Sequence, residues 1–238
     1  MTETMKHFKL RTDLTIEVCG KTLYRIEATK DIEKFGVKTG DLGGYVEKEE
    51  NLSEDAWVSG DARVYGNAKV SEDAWVCGNA QVSCDAEVSG DARVYGNACV
   101  CDTVQVSGDA RVYGNAWVCD NAFVCDNAQV SGCARVSGDA EVSGDAEVSG
   151  DALVSGNAWV CGDKIEKEND LINITSNTGS YNITITPNHI KIGCQYHSKT
   201  AWFNFTDNEI MKMDGEKAVE WWKTWKPILI SICDGLKQ

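Results

Sequence analysis

From Val46 to Val160 a valine falls at every sixth position, with Leu52 the single leucine, and no residue is inserted or lost across the twenty positions. Four residues after each of these valines stands an alanine, from Ala56 to Ala158, broken only at Val104. Gly-Asp or Gly-Asn commonly fills the space between, as in "VSGDARVYGNAKV" at 58–70. A period of six matches neither the 3.6 of a helix nor a simple hairpin meander. A coil with three flat sides accounts for it. Each hexad gives one short strand and one corner, and eighteen residues close a turn. Valine then points inward, alanine fills a cramped corner, and Gly with Asn or Asp supplies the corner backbone. Twenty hexads make about six and a half turns, a prism about 30 Å long at about 4.8 Å per rung. Both ends of such a stack are open and need caps.

This pattern resembles the hexapeptide-repeat left-handed parallel β-helix, the solenoid of many acyltransferases, over about half the chain. The expected class is mainly β, with a small β-rich N-terminal cap over 1–45, the β-helix over 46–163, and a small α+β domain over 164–238. In the cap, "LTIEV" and "TLYRIEA" read as two strands joined by Cys19-Gly20-Lys21. "KTGDLGGYV" reads as a tight structural turn, since no Gly-Lys-Ser/Thr follows its glycines as a phosphate loop requires.

After Asp163 comes a polar connector, then "YNITITPNHIKIGC", an alternating hairpin turning at Pro187-Asn188. "TDNE" at 206–209 has capping-box spacing for a short helix. Ala218, Trp221, Trp222, Trp225, Leu229, Ile232, Cys233 and Leu236 share one helical face, with a kink expected at Pro227. That stripe reads as the core of the small domain, with a docking face as the alternative. His189, Cys194 and His197 lie close in sequence but no fourth ligand accompanies them. The expectation is a buried cysteine, surface histidines and no metal.

The chain has 238 residues and no apolar run near eighteen, and its first residues, "MTETMKHFKLRTD", are polar. A cytoplasmic protein with no membrane association is expected. Six of the eleven cysteines (Cys77, Cys99, Cys101, Cys119, Cys125, Cys161) take outward strand positions. Reduced thiols fit that placement better than a disulfide framework. Net charge is −14, and the stretch from Val46 to Asp163 alone carries −15. Such an acidic prism argues against direct nucleic-acid binding.

The resemblance to hexapeptide acyltransferases implies a homotrimer with acetyl-CoA sites between prisms and a histidine as general base. Here no histidine occurs between Val46 and Val160, and the unbroken register leaves no projecting loop. The related carbonic-anhydrase type, whose zinc needs histidines from the coils, is disfavoured for the same reason. The expectation leans against an enzyme, with no catalytic residue and no cofactor assigned.

Sorted by the eighteen-residue turn, one outward row holds Trp57, Trp75, Arg93, Arg111, Gln129 and Glu147, flanked by residues that include Tyr95 and Tyr113. Trp, Arg and Tyr on a flat side suit a trimer interface or a nucleotide-like ligand, and a ladder that only steadies the coil is the alternative. One corner carries Asp55, Asp73, Asp91, Asp109, Asn127, Asp145 and Asp163, with Glu54, Glu72 and Asp126 beside it. Turn-capping aspartates are the first reading, and an acidic ridge for a basic protein the second.

The whole layout resembles proteins encoded by tailed phages and prophages of enteric bacteria. "LYRIEA" and "GDLGGYVEKEENLS" lead into the repeat, and "ITITPNHIKIGCQYHS", "WFNF" and "EWWKTWKP" close it. Members of that group are often labelled hexapeptide transferases or polymer-forming proteins. The resemblance implies an accessory protein of the host cytoplasm. The expected function is non-enzymatic binding of a host protein or nucleotide-like molecule, with counter-defence or sequestration as its use. A hexapeptide acyltransferase, or a structural self-assembling protein, is the alternative.

Overall fold

The computed structural model describes residues 6–53, 55–175 and 181–235. Glu54, the connector residues 176–180 and Leu236 lie outside them. The hexads form a parallel β-solenoid of about seven turns. Its three sides are a nine-stranded, a seven-stranded and a six-stranded sheet. The rungs pair at eighteen residues, as in Arg93 with Arg111 and Val94 with Val112, until the last step, where Glu147 meets Lys164. The inward valines from Val46 to Val160 and the corner alanines from Ala56 to Ala158 are buried, Val104 included. One corner column is glycine on six successive rungs, from Gly60 to Gly150. Gly96 shows why: its φ is +74°, and a Cβ there would stand 3.0 Å from the Gly114 backbone. A side chain would be strained and would crowd the next rung.

The N-terminal cap is an antiparallel sheet continuous with the solenoid. Strand β1 (Phe8–Val18) is longer than the run "LTIEV" and carries an irregularity between Arg11 and Thr15. It turns through Cys19 and Gly20, both at positive φ, into β2 (Lys21–Ala28). Strand β3 (Leu42–Val46) pairs antiparallel with β2 and parallel with Arg63–Val64. The glycines of "GDLGGYV" make this junction possible. A Cβ at Gly43 would lie 2.5 Å from Ile26 Cγ1 and Val58 O, and one at Gly44 2.7 Å from Ala62 O. They serve close backbone approach.

At the other end the inward register runs past the expected boundary at Asp163. Ile165 pairs beside Val148, and Leu171 is also buried. A four-stranded antiparallel sheet follows, built of Ile172–Ile174, Ile183–Ile185, His189–Ile192 and Gln195–Ser198. The Pro187-Asn188 turn stands where expected, with Ile185 opposite Ile190 and Thr186 N bonded to His189 O at 3.0 Å. Helix α1 (Lys199–Asn204) and helix α2 (Asp207–Gly235) pack on this sheet.

The capping box at Thr206 and Glu209 forms: Glu209 Oε2 accepts from Thr206 N at 2.8 Å, and Thr206 Oγ1 from Glu209 N at 3.4 Å. The break in α2 is not at Pro227, where the backbone stays helical, but at Asp214 and Gly215. Gly215 takes φ +74°, open to glycine and unfavourable for other residues. The tryptophan stripe faces inward: Ala218, Trp222, Leu229 and Cys233 are buried, and Trp221, Trp225 and Ile232 pack against them. No described helix is long and apolar enough to cross a membrane.

Because Gly44 abuts the Ala62 carbonyl and Val58, Gly44→Ala should lower the urea-denaturation midpoint. The expected loss is about 1–3 kcal/mol, the range for overpacking a close contact.

Candidate binding surface and the caps that frame it

The outward row expected from the eighteen-residue turn is one continuous ladder: Trp57, Trp75, Arg93, Arg111, Gln129 and Glu147 pair rung by rung. The cap changes the role of its first two members. Trp57 is only 2% exposed, with the His7 ring 6.3 Å from its own. Placed among interface residues by its outward position, Trp57 is instead sealed inside the chain by the N-terminal strand. Trp75 is half-buried, with Phe35 of the cap 5.6 Å away and its indole N–H donating to Ser59 Oγ at 2.9 Å. The open part of the face begins with Arg93.

Arg93 and Arg111 are exposed on adjacent rungs, and neither is salt-bridged among the described residues. The Arg93 guanidinium lies over the Trp75 ring at 5.9 Å. Beside the arginines, Tyr95 and Tyr113 stack with centroids 4.9 Å apart and planes 2° from parallel. Burial, and then the neighbouring phenol, push the Tyr95 hydroxyl up, so it stays protonated near neutral pH. This is a rigid aromatic platform with two cations at its edge.

The acidic ridge divides. Asp55 pairs with Lys30 at 2.8 Å, and Lys34 bridges Asp73 at 3.1 Å and Asp91. Its first three aspartates therefore hold the protein's own cap. Asp109 is the next acid on this corner, and Asp145 accepts from Asn127 Nδ2 at 3.0 Å. A second corner interleaves Asn with Asp, as in Asn67 with Asp85 and Asn121 with Asp139, and the third carries an asparagine ladder of Asn79, Asn97 and Asn115.

Asp163 does not belong to the ridge. The step from Val160 to Ile165 is five residues, and the residue lost is the corner alanine. Glu147 N bonds to Asp163 O at 2.9 Å, as Gln129 N bonds to Ala146 O. Asp163 thus occupies the alanine position and its carboxylate is wholly buried. The C-terminal sheet supplies its partners: Asn188 Nδ2 at 2.8 Å, His189 Nδ1 at 2.8 Å, and the Thr186 hydroxyl. The Tyr196 hydroxyl lies 3.4 Å from the same carboxylate and donates to Cys161 O, with its ring stacked on His189.

The His/Cys group is therefore placed otherwise than expected. His189 serves Asp163, and Cys194 is exposed in the turn after its strand. His197 packs against Trp202 and Phe205, its Nε2 buried without a partner among the described residues.

None of the eleven cysteines forms a disulfide among the described residues. Asp102, Cys119 and Asp120 bring possible ligand atoms within 4.8 Å of one another. Both carboxylates already cap backbone: Asp102 accepts from Asp120 N at 3.2 Å and Asp120 from Gly138 N at 2.9 Å. Burial, together with the neighbouring Asp120 and Asp102, pushes the Cys119 thiol up to about 11. A cation held by all three would have to displace the thiol proton.

The repeat described as "YdcK Beta solenoid repeat" matches residues 62–78, 104–120 and 146–162. These stretches lie within the coils, and their similarity supports a repeat β-helix protein. No curated protein matches the chain.

Asp163→Ala restores the repeat's own residue but strips the donors of Asn188, His189 and Thr186 of their acceptor. Loss of about 1–3 kcal/mol for the docked sheet is expected, read as faster hydrogen exchange over 181–198.

His7 Nε2 donates to Ala56 O at 2.8 Å, and burial lowers the pKa of this histidine below 6.5. The folded state holds it neutral. Its contribution is complete above the unfolded value of 6.5 and is lost as pH falls from there towards the lowered folded value. The denaturation midpoint should drop on acidification through that window, and His7→Gln should flatten the drop.

Proposed function

We propose that the chain is a non-enzymatic binding protein that acts by occupancy, holding an anionic, nucleotide-like molecule on the face of Arg93, Tyr95, Arg111 and Tyr113. One observation carries the reading. In a chain of net charge −14, two exposed guanidiniums stand on adjacent rungs without a carboxylate partner among the described residues. Guanidiniums match phosphate oxygens as paired donors, and the tyrosine platform beside them suits stacking on a base. The prisms associate side by side as a homotrimer in this reading, so that each face becomes one wall of a cleft. The resemblance to phage and prophage proteins supports a setting in the host cytoplasm, with sequestration of a host signal or occupation of a host defence protein as the use.

Calorimetry with AMP and ATP tests the ligand. Saturable binding is expected, weakening as salt rises because the contact is ionic. Arg93→Ala and Arg111→Ala should each weaken it by about tenfold, the order of one charge-assisted pair. Absence of saturable heat with either nucleotide would remove the ligand reading. Light scattering should give a three-chain mass, and a monomer would remove the trimer. Steady CoA release from acetyl-CoA and an amino-sugar acceptor would point instead to an acyltransferase.

A further inference from the structure

Where the coil leaves the nine-stranded side, the repeat places an outward Tyr or Ser and then a glycine, as at Tyr65-Gly66, Ser137-Gly138 and Ser155-Gly156. On two adjacent rungs both residues change, to Cys101-Asp102 and Cys119-Asp120. Asp102 and Asp120 take the corner's positive φ, +62° and +61°, where Gly66 and Gly138 stand at +75° and +70°. Each carboxylate caps an amide of the next rung through Oδ2 alone. Oδ1 of each accepts no hydrogen bond among the described residues, and neither carboxylate has a Lys or Arg partner there. Two like charges therefore face each other across one rung without a counter-ion.

The two thiols stand against the same pair of acids. Cys101 Sγ lies 3.5 Å from Asp102 Oδ2, and Cys119 Sγ lies 3.8 Å from Asp120 Oδ2. Cys119 Sγ and one oxygen of each carboxylate all fall within 4.8 Å of one another. Cys101 sits one rung from Cys119, its backbone N–H bonded to Val118 O at 3.1 Å. Around a tetrahedral zinc ion, with bonds of about 2.0–2.3 Å, neighbouring ligand atoms are about 3.4–3.8 Å apart. The donors are close to that spacing already, and side-chain rotation at half-buried and exposed positions closes the rest.

We infer that Cys101, Asp102, Cys119 and Asp120 form a binding site for a divalent cation of the zinc class, which pins two adjacent rungs together. The donor set selects the class. Calcium and magnesium take oxygen ligands, whereas zinc accepts sulfur and oxygen together. On binding, two S–H bonds break, two metal–sulfur bonds form and two protons pass to solvent, with no transfer of electrons. The free Oδ1 atoms complete the shell, so both amide caps can stay in place, and the cation supplies the counter-charge that the two carboxylates lack. The site lies at a corner of the nine-stranded side, separate from the Arg93–Arg111 face on the seven-stranded sheet, and does not depend on it.

The test uses the whole chain, reduced and stripped of metal, with Zn²⁺ and Co²⁺ as probes. Calorimetry with Zn²⁺ should show saturable binding with proton release, and Co²⁺ should give the charge-transfer and visible bands of tetrahedral thiolate ligation. Cys119→Ser should weaken Zn²⁺ by about tenfold or more and dim the charge-transfer band. Asp102→Asn keeps an acceptor for the Asp120 amide but loses the charge, and should also weaken Zn²⁺. Cys133→Ser, exposed on another corner, should leave binding unchanged. Should the Cys119 variant fail to fold, alkylation of the unaltered protein gives the same answer. Zn²⁺ should slow modification of Cys101 and Cys119, read on their peptides by mass spectrometry, and leave Cys133 as reactive as before. Absence of saturable Zn²⁺ binding would overturn the proposal, as would full affinity in a folded Cys119→Ser or equal alkylation of Cys101 and Cys119 with and without Zn²⁺. Displacement of Zn²⁺ by an equal concentration of Mg²⁺ would mean an acidic patch without thiolate ligation, and would overturn it too.

Discussion

The backbone bond at the alanine corner is the contact on which the rest of the molecule depends. Arg93 N meets Ala110 O at 2.9 Å, Arg111 N meets Ala128 O at 2.9 Å, and the same bond recurs on successive rungs. The residue that offers the carbonyl sits at a corner with almost no exposed surface, alanine on nearly every rung, with Val104 and Asp163 making the same bond at 2.8 and 2.9 Å. A single rung buries one valine and one alanine, too little to offset the entropy of ordering six residues. Stacking makes each rung the wall of the next, so stability is shared between neighbours and the ends are the weak points.

The two ends are closed by different chemistry. At the start, the cap adds Phe8, Ile26 and Ile32 to the apolar interior, and Lys30 and Lys34 reach down to the aspartates of one corner. That corner has four successive aspartates, Asp55 to Asp109, where the others interleave asparagine or threonine. At the finish, the alanine corner itself is changed. A buried carboxylate is costly unless donors surround it, and a missing donor would leave it unpaired. Asp163 therefore ties the C-terminal sheet to the last rung by a polar contact with little tolerance for misplacement, where the first cap relies on apolar contact and exposed ion pairs.

Most of the solenoid was legible because its period admits one register: the rows read from the sequence are the ladders observed. What was not legible depends on segments far away in the chain. Trp57 is outward by register and buried by fact, because His7 and the cap lie across it. The eighteen-residue step of the ridge arrives at Asp163, but "VCGDKI" lacks its alanine, and that five-residue step moves Asp163 from the ridge to the alanine corner. The Asp214-Gly215 pair marked a break in the helix more strongly than Pro227 did, since Gly215 adopts a conformation other residues avoid. Two helical segments meeting there could not be read from a stripe of tryptophans.

The charge pattern bears most directly on the ligand proposed for the prism. Like charges one rung apart, about 4.8 Å, repel by about 1 kcal/mol even in water. Along the acidic corner this repulsion is relieved by Lys30, Lys34 and Asn127. On the nine-stranded side Arg63 and Arg135 are kept apart by three intervening rungs, Gln81, Cys99 and Trp117. Only at Arg93 and Arg111 do two arginines share adjacent rungs, and there the fold supplies no counter-charge among the described residues. A rigid backbone fixes their anchor points, so the repulsion is already present in the free protein, and the anion proposed for this face would relieve it. Little further ordering is then needed on binding, which is the advantage a stacked scaffold has over a loop for holding a charged ligand.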